Sequence, residues 1–476
     1  MTAQETKRSF GTLLLGTLVF LVCVRSWVPA STYAHFDSDQ AVFGLMGRDL
    51  IAGQSFPLFM YGQRYLLAVS VWLCAPLFAL FGASITTLKL PMVAMNIAVV
   101  VMMWRGLRRE ENIGPWGAAV AILPFAVPTA LIGTRLVEHA GGNIEPFVFT
   151  IGMFLLRDRA IALGLWAGIG FLNREFSAIG LIALLLMDIA QGVWRERLRL
   201  YGTVLGLMVV VVATIRLAAR WSTAYSGNPA SFGKPRIANI IGYFKQQLPT
   251  LLGAWPRKLG DFNIQSQVTV GHVAVGCALL LWTVAALYVL FWRKPITRSE
   301  LGGMPTYLVL VGLGQSASFV LLTPSGGDPM LIRYLLLSLL ALCGACALAW
   351  KRPEMRPLTA ATIGLVSLFH LSGHLQLIGE YANGAPPRSL NLLADQLLQR
   401  HIRYATADYW TSYDLSFVTQ EKVVVAPPLG SNFRMPSYDI KLEQHRDEVY
   451  SITNQPCTGG EQLLNWYLCR PPRAAR

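Results

Sequence analysis

Long apolar runs without charge alternate along this chain with short connections rich in arginine. A membrane span needs ~20 apolar residues. Runs of that kind predict spans near 10–29, 88–104, 116–134, 145–156, 160–173, 176–191, 201–218, 271–292, 304–322, 331–349 and 358–378. That makes about eleven transmembrane helices, with 145–156 and 160–173 short enough to need their polar flanks. Three longer stretches break the rhythm, at about 31–87, 219–270 and from 379 to the end.

In the first stretch, Ala41, Val42, Leu45, Met46 and Leu50 form an apolar stripe, with Arg48 and Asp49 opposite. This spacing predicts a helix over 40–52 lying on the membrane surface. Residues 65–83 are apolar enough to span. The second stretch mixes basic and aromatic residues, among them Lys234, Arg236, Tyr243, Phe244, Lys245, Trp255, Arg257 and Lys258. The last stretch turns polar. It opens on a helical pattern, Leu390 to Arg403, and carries a strand-like Lys422–Ala426 closed by Pro427-Pro428. It predicts a small folded α/β domain at 379–476, after a membrane domain at 1–378.

Charge orients the spans. With the N-terminus inside, the cytoplasmic loops hold Arg105, Arg108 and Arg109; Arg157 and Arg159; Arg195, Arg197 and Arg199; Arg293, Lys294 and Arg298; and Lys351, Arg352 and Arg356. The outside loops at 135–144 and 323–330 hold only Arg135. This matches the positive-inside rule. Were 65–83 a span, every later loop would invert, so 65–83 reads as an interfacial or re-entrant helix, the alternative being a true span whose partner is missed. The first run follows Lys7-Arg8 and precedes Pro29-Ala30-Ser31, so it is either an uncleaved span or a signal peptide. Both place residue 31 outside, and the C-terminal domain with it.

Composition agrees. Of 476 residues 54% are hydrophobic and 14% charged, and the mean hydropathy is +0.45. These values fit a polytopic membrane protein. The net charge of +14 sits in the inter-span loops and does not indicate nucleic acid. Five cysteines lie in or beside apolar runs; Cys457 and Cys469 lie in the tail, where a disulfide and free thiols are both open.

The acidic residues carry the chemistry. Asp37 and Asp39 follow the first span, and Glu138, His139 and Glu145 lie between two later ones. By parity both clusters face outside, as do Arg174-Glu175 and the Gly326–Tyr334 stretch. Carboxylates at a membrane face stay wet, are paired, or do chemistry. A bland reading serves each alone: an Asp caps helix 40–52, Arg174 and Glu175 pair, and Arg333 snorkels. Four loops converging on one face favour a site. Arg333 offers forked donors suited to a phosphate at headgroup level.

Asp37–Met46, Gly53–Tyr65 (with Tyr61 and Gln63) and Pro76–Phe81, together with the Arg333-Tyr334 pair and the tail stretch Ile402–Tyr413, resemble GT-C-fold glycosyltransferases of the protein O-mannosyltransferase and lipid A aminoarabinose transferase group. The resemblance implies a multi-span helical fold with two juxtamembrane helices in the first outside loop. It also implies a polyprenyl-phosphate-linked sugar donor and inverting transfer outside the cytoplasm, in a bacterial inner membrane. The group has Asp-Glu in that loop. Here Asp39-Gln40 aligns, so a glutamine stands where the Glu would be, and Asp39 becomes the expected base with Asp37 in reserve.

Glycosyl transfer needs a carboxylate to take the acceptor's proton and cations to meet the leaving phosphate. The expected set is Asp39 as base, Glu138 as orienting or second acid, Arg333 with Tyr334 as phosphate clamp and Arg174 as a further clamp. His139, Tyr61 and Gln63 line the substrate. The acceptor is a glycan, lipid or protein. No cofactor is needed, although Asp37 and Asp39 could hold a divalent metal. A lipid transporter, or a membrane assembly protein without catalysis, would use the same spans for other ends.

Overall fold

A computed structural model describes residues 3–110, 112–222, 237–256, 267–322, 329–428 and 434–470. The expected features at Lys234, Arg236, Arg257, Lys258 and Gly326–Asp328 lie outside the described residues.

The membrane part is helical. It runs α1 (Ala3–Ser31), α2 (Ser38–Ile51), α3 (Val69–Phe81), α4 (Ile85–Leu107), α5 (Pro115–Ala126), α6 (Ala130–Arg135), α7 (Glu145–Leu155), α8 (Ala160–Asn173), α9 (Ala178–Gln191) and α10 (Leu198–Ala218). Then come α11 (Ile237–Gly242) and α12 (Leu248–Leu252), joined by a π-helical turn, α13 (Val270–Tyr288), the short α14 (Arg298–Leu301) and α15 (Met304–Leu322). A 3₁₀ stretch, Pro329–Ser338, leads into α16 (Leu339–Trp350), and α17 (Arg356–Ala382) closes the bundle.

Among the described residues seven helices are long and apolar enough to cross a membrane, and they coincide with seven of the eleven predicted spans. The other four are shorter. Predicted spans 145–156, 160–173 and 176–191 are helices of 11, 14 and 14 residues, or ~17–21 Å against a ~30 Å hydrocarbon core. The predicted span 116–134 is not one helix. It ends at Ala126 and resumes at Ala130, because Pro128 cannot donate to a continuing helix. The freed carbonyls are used: Val127 O meets His370 Nδ1 at 3.2 Å, and Pro128 O meets His374 Nε2 at 2.9 Å. Such backbone is tolerated in a bundle where neighbours re-satisfy it. Arg25 follows the same rule. It donates to Asn96 Oδ1 (2.7 Å) and Gly133 O (3.3 Å) and lies over Phe125.

The expected surface helices are α2 and α3. The apolar stripe of α2 is buried, and α3 packs against both α2 and α4. The basic loops meet at the far end of α4, ~35 Å from its start. Lys351 pairs with Glu110, Arg352 with Glu300, Lys294 with Glu354 and Arg197 with Asp158.

The C-terminal domain packs α18 (Ser389–Gln399), α19 (Tyr409–Val418) and α20 (Pro436–Gln444) on a five-stranded sheet ordered β2-β1-β3-β5-β4. Its strands are β1 (Tyr404–Thr406), β2 (Val424–Ala426), β3 (Tyr450–Thr453), β4 (Glu461–Leu463) and β5 (Trp466–Cys469). β1 runs parallel to β2 and β3; β5 runs antiparallel to β3 and β4. Cys457 and Cys469 form a disulfide.

This domain shares a core with the first loop. Phe36, Phe43, Met46, Tyr413, Phe417 and Tyr438 bury together. α19 lies on α2 so closely that a Cβ on Gly44 would overlap the Phe417 ring. Ser38 Oγ donates to Trp410 O at 2.9 Å and accepts from Asp414 N at 3.3 Å. Arg388, paired with Asp414, donates to Phe36 O at 2.9 Å.

Candidate active site

The site lies where α2, the start of the Pro329–Ser338 stretch, and α19 converge. Asp37 adopts extended backbone and caps α2, its Oδ1 accepting from Gln40 N at 3.0 Å. Asp39 lies in the first turn of α2, two residues past the cap. Asp39 Oδ1 accepts from Tyr409 Oη at 2.6 Å, and Oδ2 lies 3.5 Å from Arg333 Nη1. The two side chains remain partly open, Asp39 at 16% and Arg333 at 23%.

Arg333 donates to Tyr334 Oη at 3.2 Å and lies over that ring. Among the described residues its Nε is buried without a partner. A guanidinium donor left so is costly unless something else meets it. Arg174 faces the same ring, 5.9 Å from the Tyr334 centroid. It is anchored by Nε to Gly141 O at 3.0 Å. Gly142 makes room for it: φ is +109° there, and a Cβ would overlap the Arg174 side chain.

A third guanidinium comes from the C-terminal domain. Arg434 donates from Nε to Tyr409 Oη (3.3 Å) and from Nη1 to Tyr61 O (3.1 Å). Gln63, its amide oxygen turned toward the guanidinium, accepts from both Nη atoms at 3.3 and 3.0 Å.

The remaining acids differ in environment. Burial, then the nearby charges of Asp39 and Glu138, push the Asp37 carboxyl up to about 6. Burial would push Glu138 up too, but Arg135 and His35 outweigh it and hold Glu138 down at about 2. Glu138 is 1% exposed and fully engaged. Arg135 Nη1 reaches its two oxygens at 2.9 and 3.0 Å, His35 Nδ1 lies at 2.9 Å and Asn143 Nδ2 at 3.1 Å. It fixes the loop below Asp37 and faces no open surface.

Of the expected residues, Asp39, Arg333, Tyr334, Arg174 and Gln63 surround one region, with Asp37 beside it. His139 and Tyr61 do not project into it. His139 is fully buried, its Nδ1 on Leu88 O at 2.7 Å and its ring against Phe43; burial holds it down at about 4. Tyr61 turns its hydroxyl to Asp49 Oδ2 at 3.0 Å and gives the site only its carbonyl. Among the described residues no group of three or more His, Cys, Asp or Glu could hold a metal ion. Asp39 already has Arg333 and Tyr409 as partners.

Tyr409 and Arg434 escaped the sequence reading. Tyr409 falls in the aromatic run Tyr409–Tyr413, and nothing in that run points toward a loop 370 residues earlier. Arg434 stands alone before Met435-Pro436, with no spacing to single it out.

No family model matches the chain, and no curated protein matches it. Solved structures do. ArnT from Cupriavidus metallidurans bound to undecaprenyl phosphate is similar over 93% of this chain and 89% of its own, with TM-score 0.53 and 12% identity. The apo state of ArnT aligns over the same shares, with TM-score 0.45 and 11% identity. A likeness at this identity is one of fold: this chain is an integral membrane protein with the GT-C fold that ArnT has, carrying juxtamembrane helices in its first loop and a small α/β domain at its C-terminus.

Proposed function

We propose that this protein transfers a sugar from a polyprenyl-phosphate donor to an acceptor hydroxyl at the α2–α19 end of the bundle. The observation that carries it is a partly exposed carboxylate, Asp39, set against Arg333, with Arg174 and Arg434 close by. That is the pairing of base and phosphate cations the reaction needs. ArnT, which shares the fold, is bound to undecaprenyl phosphate. That supports the class of donor.

In this reading Arg333 changes partners. Before the donor arrives it neutralises Asp39. A phosphate oxygen then takes the guanidinium, with the free Nε as a second donor, and Asp39 is released to face the acceptor. The acceptor hydroxyl gives its proton to Asp39 as its oxygen bonds to the anomeric carbon. The bond from that carbon to the phosphate oxygen breaks, and the phosphate leaves with the electron pair, met by Arg333 and Arg174. A single displacement inverts the anomeric centre. Glu138 acts as an orienting acid through its hold on the Asp37 loop. The basic loops at the opposite end then face the cytoplasm of a bacterial inner membrane, and the C-terminal domain faces outside.

The test replaces Asp39 with Asn and compares glycolipids and glycopolymers of membranes carrying either form. Transfer should fall by roughly 10²–10⁴ at an unchanged thermal midpoint. Full transfer by a folded Asp39→Asn protein would remove the proposal.

A further inference from the structure

A cavity of about 360 Å³ opens where α1 and α17 leave the bundle and α18 begins. Its lining includes Thr32, Tyr33, His35, Tyr381, Arg388 and Asn391. This volume is at the small end of ligand pockets, ~300–1,000 Å³. It suits one ring-sized group, not a long chain.

His35 is the unusual member. Its backbone sits at φ +52°, a left-handed conformation that a side-chain-bearing residue rarely holds without a reason. Its Nδ1 lies 2.9 Å from Glu138 Oε1, and Arg135, which can only donate, lies 3.3 Å away on the same side. Nδ1 is thus the ring nitrogen that Glu138 engages, and this contact fixes the ring. Nε2 is then the ring nitrogen left to meet a ligand hydroxyl, which can donate or accept. Glu138 is buried and held by Arg135 and Asn143 as well, so the ring cannot swing. Arg388 is locked by Asp414 and Phe36 O and lies over Tyr33. The cavity thus combines two tyrosines, a fixed imidazole and the Asn391 amide, whose Oδ1 accepts from Arg388 Nη1 at 3.3 Å. Flat apolar faces with a few fixed hydrogen-bonding groups are what a pyranose ring needs.

We propose that this cavity is a subsite for a pyranose unit of the acceptor, with His35 Nε2 hydrogen-bonded to one ring hydroxyl. His35 is a positioning residue here. Only four positions separate it from Asp39, and Asp37 between them feels both Asp39 and Glu138. A sugar bound here would sit beside the unit being modified, which deepens the transferase reading by making the acceptor a glycan or glycolipid. As an acceptor site it rests on that reading; as a sugar site it does not.

The probes are methyl glucopyranoside, methyl mannopyranoside and methyl galactopyranoside, added separately to the full-length protein in lipid nanodiscs. Saturation-transfer NMR reports ring protons that touch the protein. At least one glycoside should receive saturation, and the signal should fall about fivefold, the loss of one hydrogen bond, in His35→Gln and in Asn391→Ala. Asn391 lines the cavity, so its variant reads the cavity even if His35→Gln misfolds. Arg197→Gln, at the opposite end of the bundle, should leave the signal unchanged. Once a transfer assay exists, His35→Gln should raise the acceptor KM and leave the donor KM alone. No saturation of any of the three glycosides, or saturation unchanged in both cavity variants, overturns the subsite. If the cavity variants abolish saturation while Asp39→Asn has no effect on cell glycans, the sugar site stands and only the transferase reading falls.

Discussion

Tyr409, in the C-terminal domain, donates a 2.6 Å hydrogen bond to Asp39, at the start of the first surface helix. Burial and the Asp39 charge hold the tyrosine well above its usual range, so it remains a donor at every working pH. The small domain therefore completes the candidate site, and its docking sets the position of the proposed base.

Removing that hydroxyl tests the dependence. Hydrogen bonds to charged groups are worth about 1.5–3 kcal/mol. Tyr409→Phe should lower transfer by roughly 10–100-fold, with the domain still docked by Ser38, Arg388 and Phe417. The measurement is transfer rate against thermal midpoint in the same preparation. A fall in both together would mean that Tyr409 serves the fold alone.

Arg333 separates charge from geometry. Arg333→Gln should raise the donor KM and lower kcat, by about 10²–10³ in kcat/KM. Arg333→Lys keeps the charge and loses the forked donors, so recovery should be partial. Steady-state kinetics with varied donor read both variants; equal activity of the Gln variant and the parent would exclude the clamp.

Gly44 couples packing to the site. An added methyl would press into the Phe417 ring, and overpacking of this kind costs typically about 1–3 kcal/mol. Gly44→Ala should lower the thermal midpoint and, by lifting α19, weaken the Tyr409–Asp39 hydrogen bond and transfer with it. Phe417→Leu in the same chain should restore part of both. Failure of the second substitution to recover anything would break the proposed link.

Asp37 gives a pH signature. Its carboxyl titrates at about 6 in the folded chain and at ~3.9 unfolded. The folded state holds the proton more tightly, so this contribution is complete below pH ~4 and is lost as pH rises through about 6. Asn keeps the helix-capping oxygen without the charge. Asp37→Asn should therefore be more stable than the parent at pH 7, by about 1–2 kcal/mol for a partly exposed group. It should also flatten the loss of stability between pH 4 and 6. Glu138 has the opposite sign: held at about 2, its contribution is present above pH ~4.5 and is lost as pH falls toward 2. Unfolding midpoints across pH 3–7 resolve the two.

The run lengths and the arginine-rich loops determined the membrane class, the helical bundle and the two surface helices, because burial in lipid and charge at its edges act on local composition. They also singled out Asp39, Arg174 and Arg333, since ionisable groups at a membrane face are few. Local composition did not foresee the break at Pro128, where the carbonyls released are answered by His370 and His374 from the far end of the chain. Nor did it tell a fully engaged Glu138 from an open Asp39. Both are acids in loops at the same end of the bundle, and only their neighbours distinguish them. Tyr409 and Arg434 reach Asp39 because α19 docks on α2 across Gly44. That docking depends on the shapes of two distant surfaces, and no periodicity or motif along the chain encodes it.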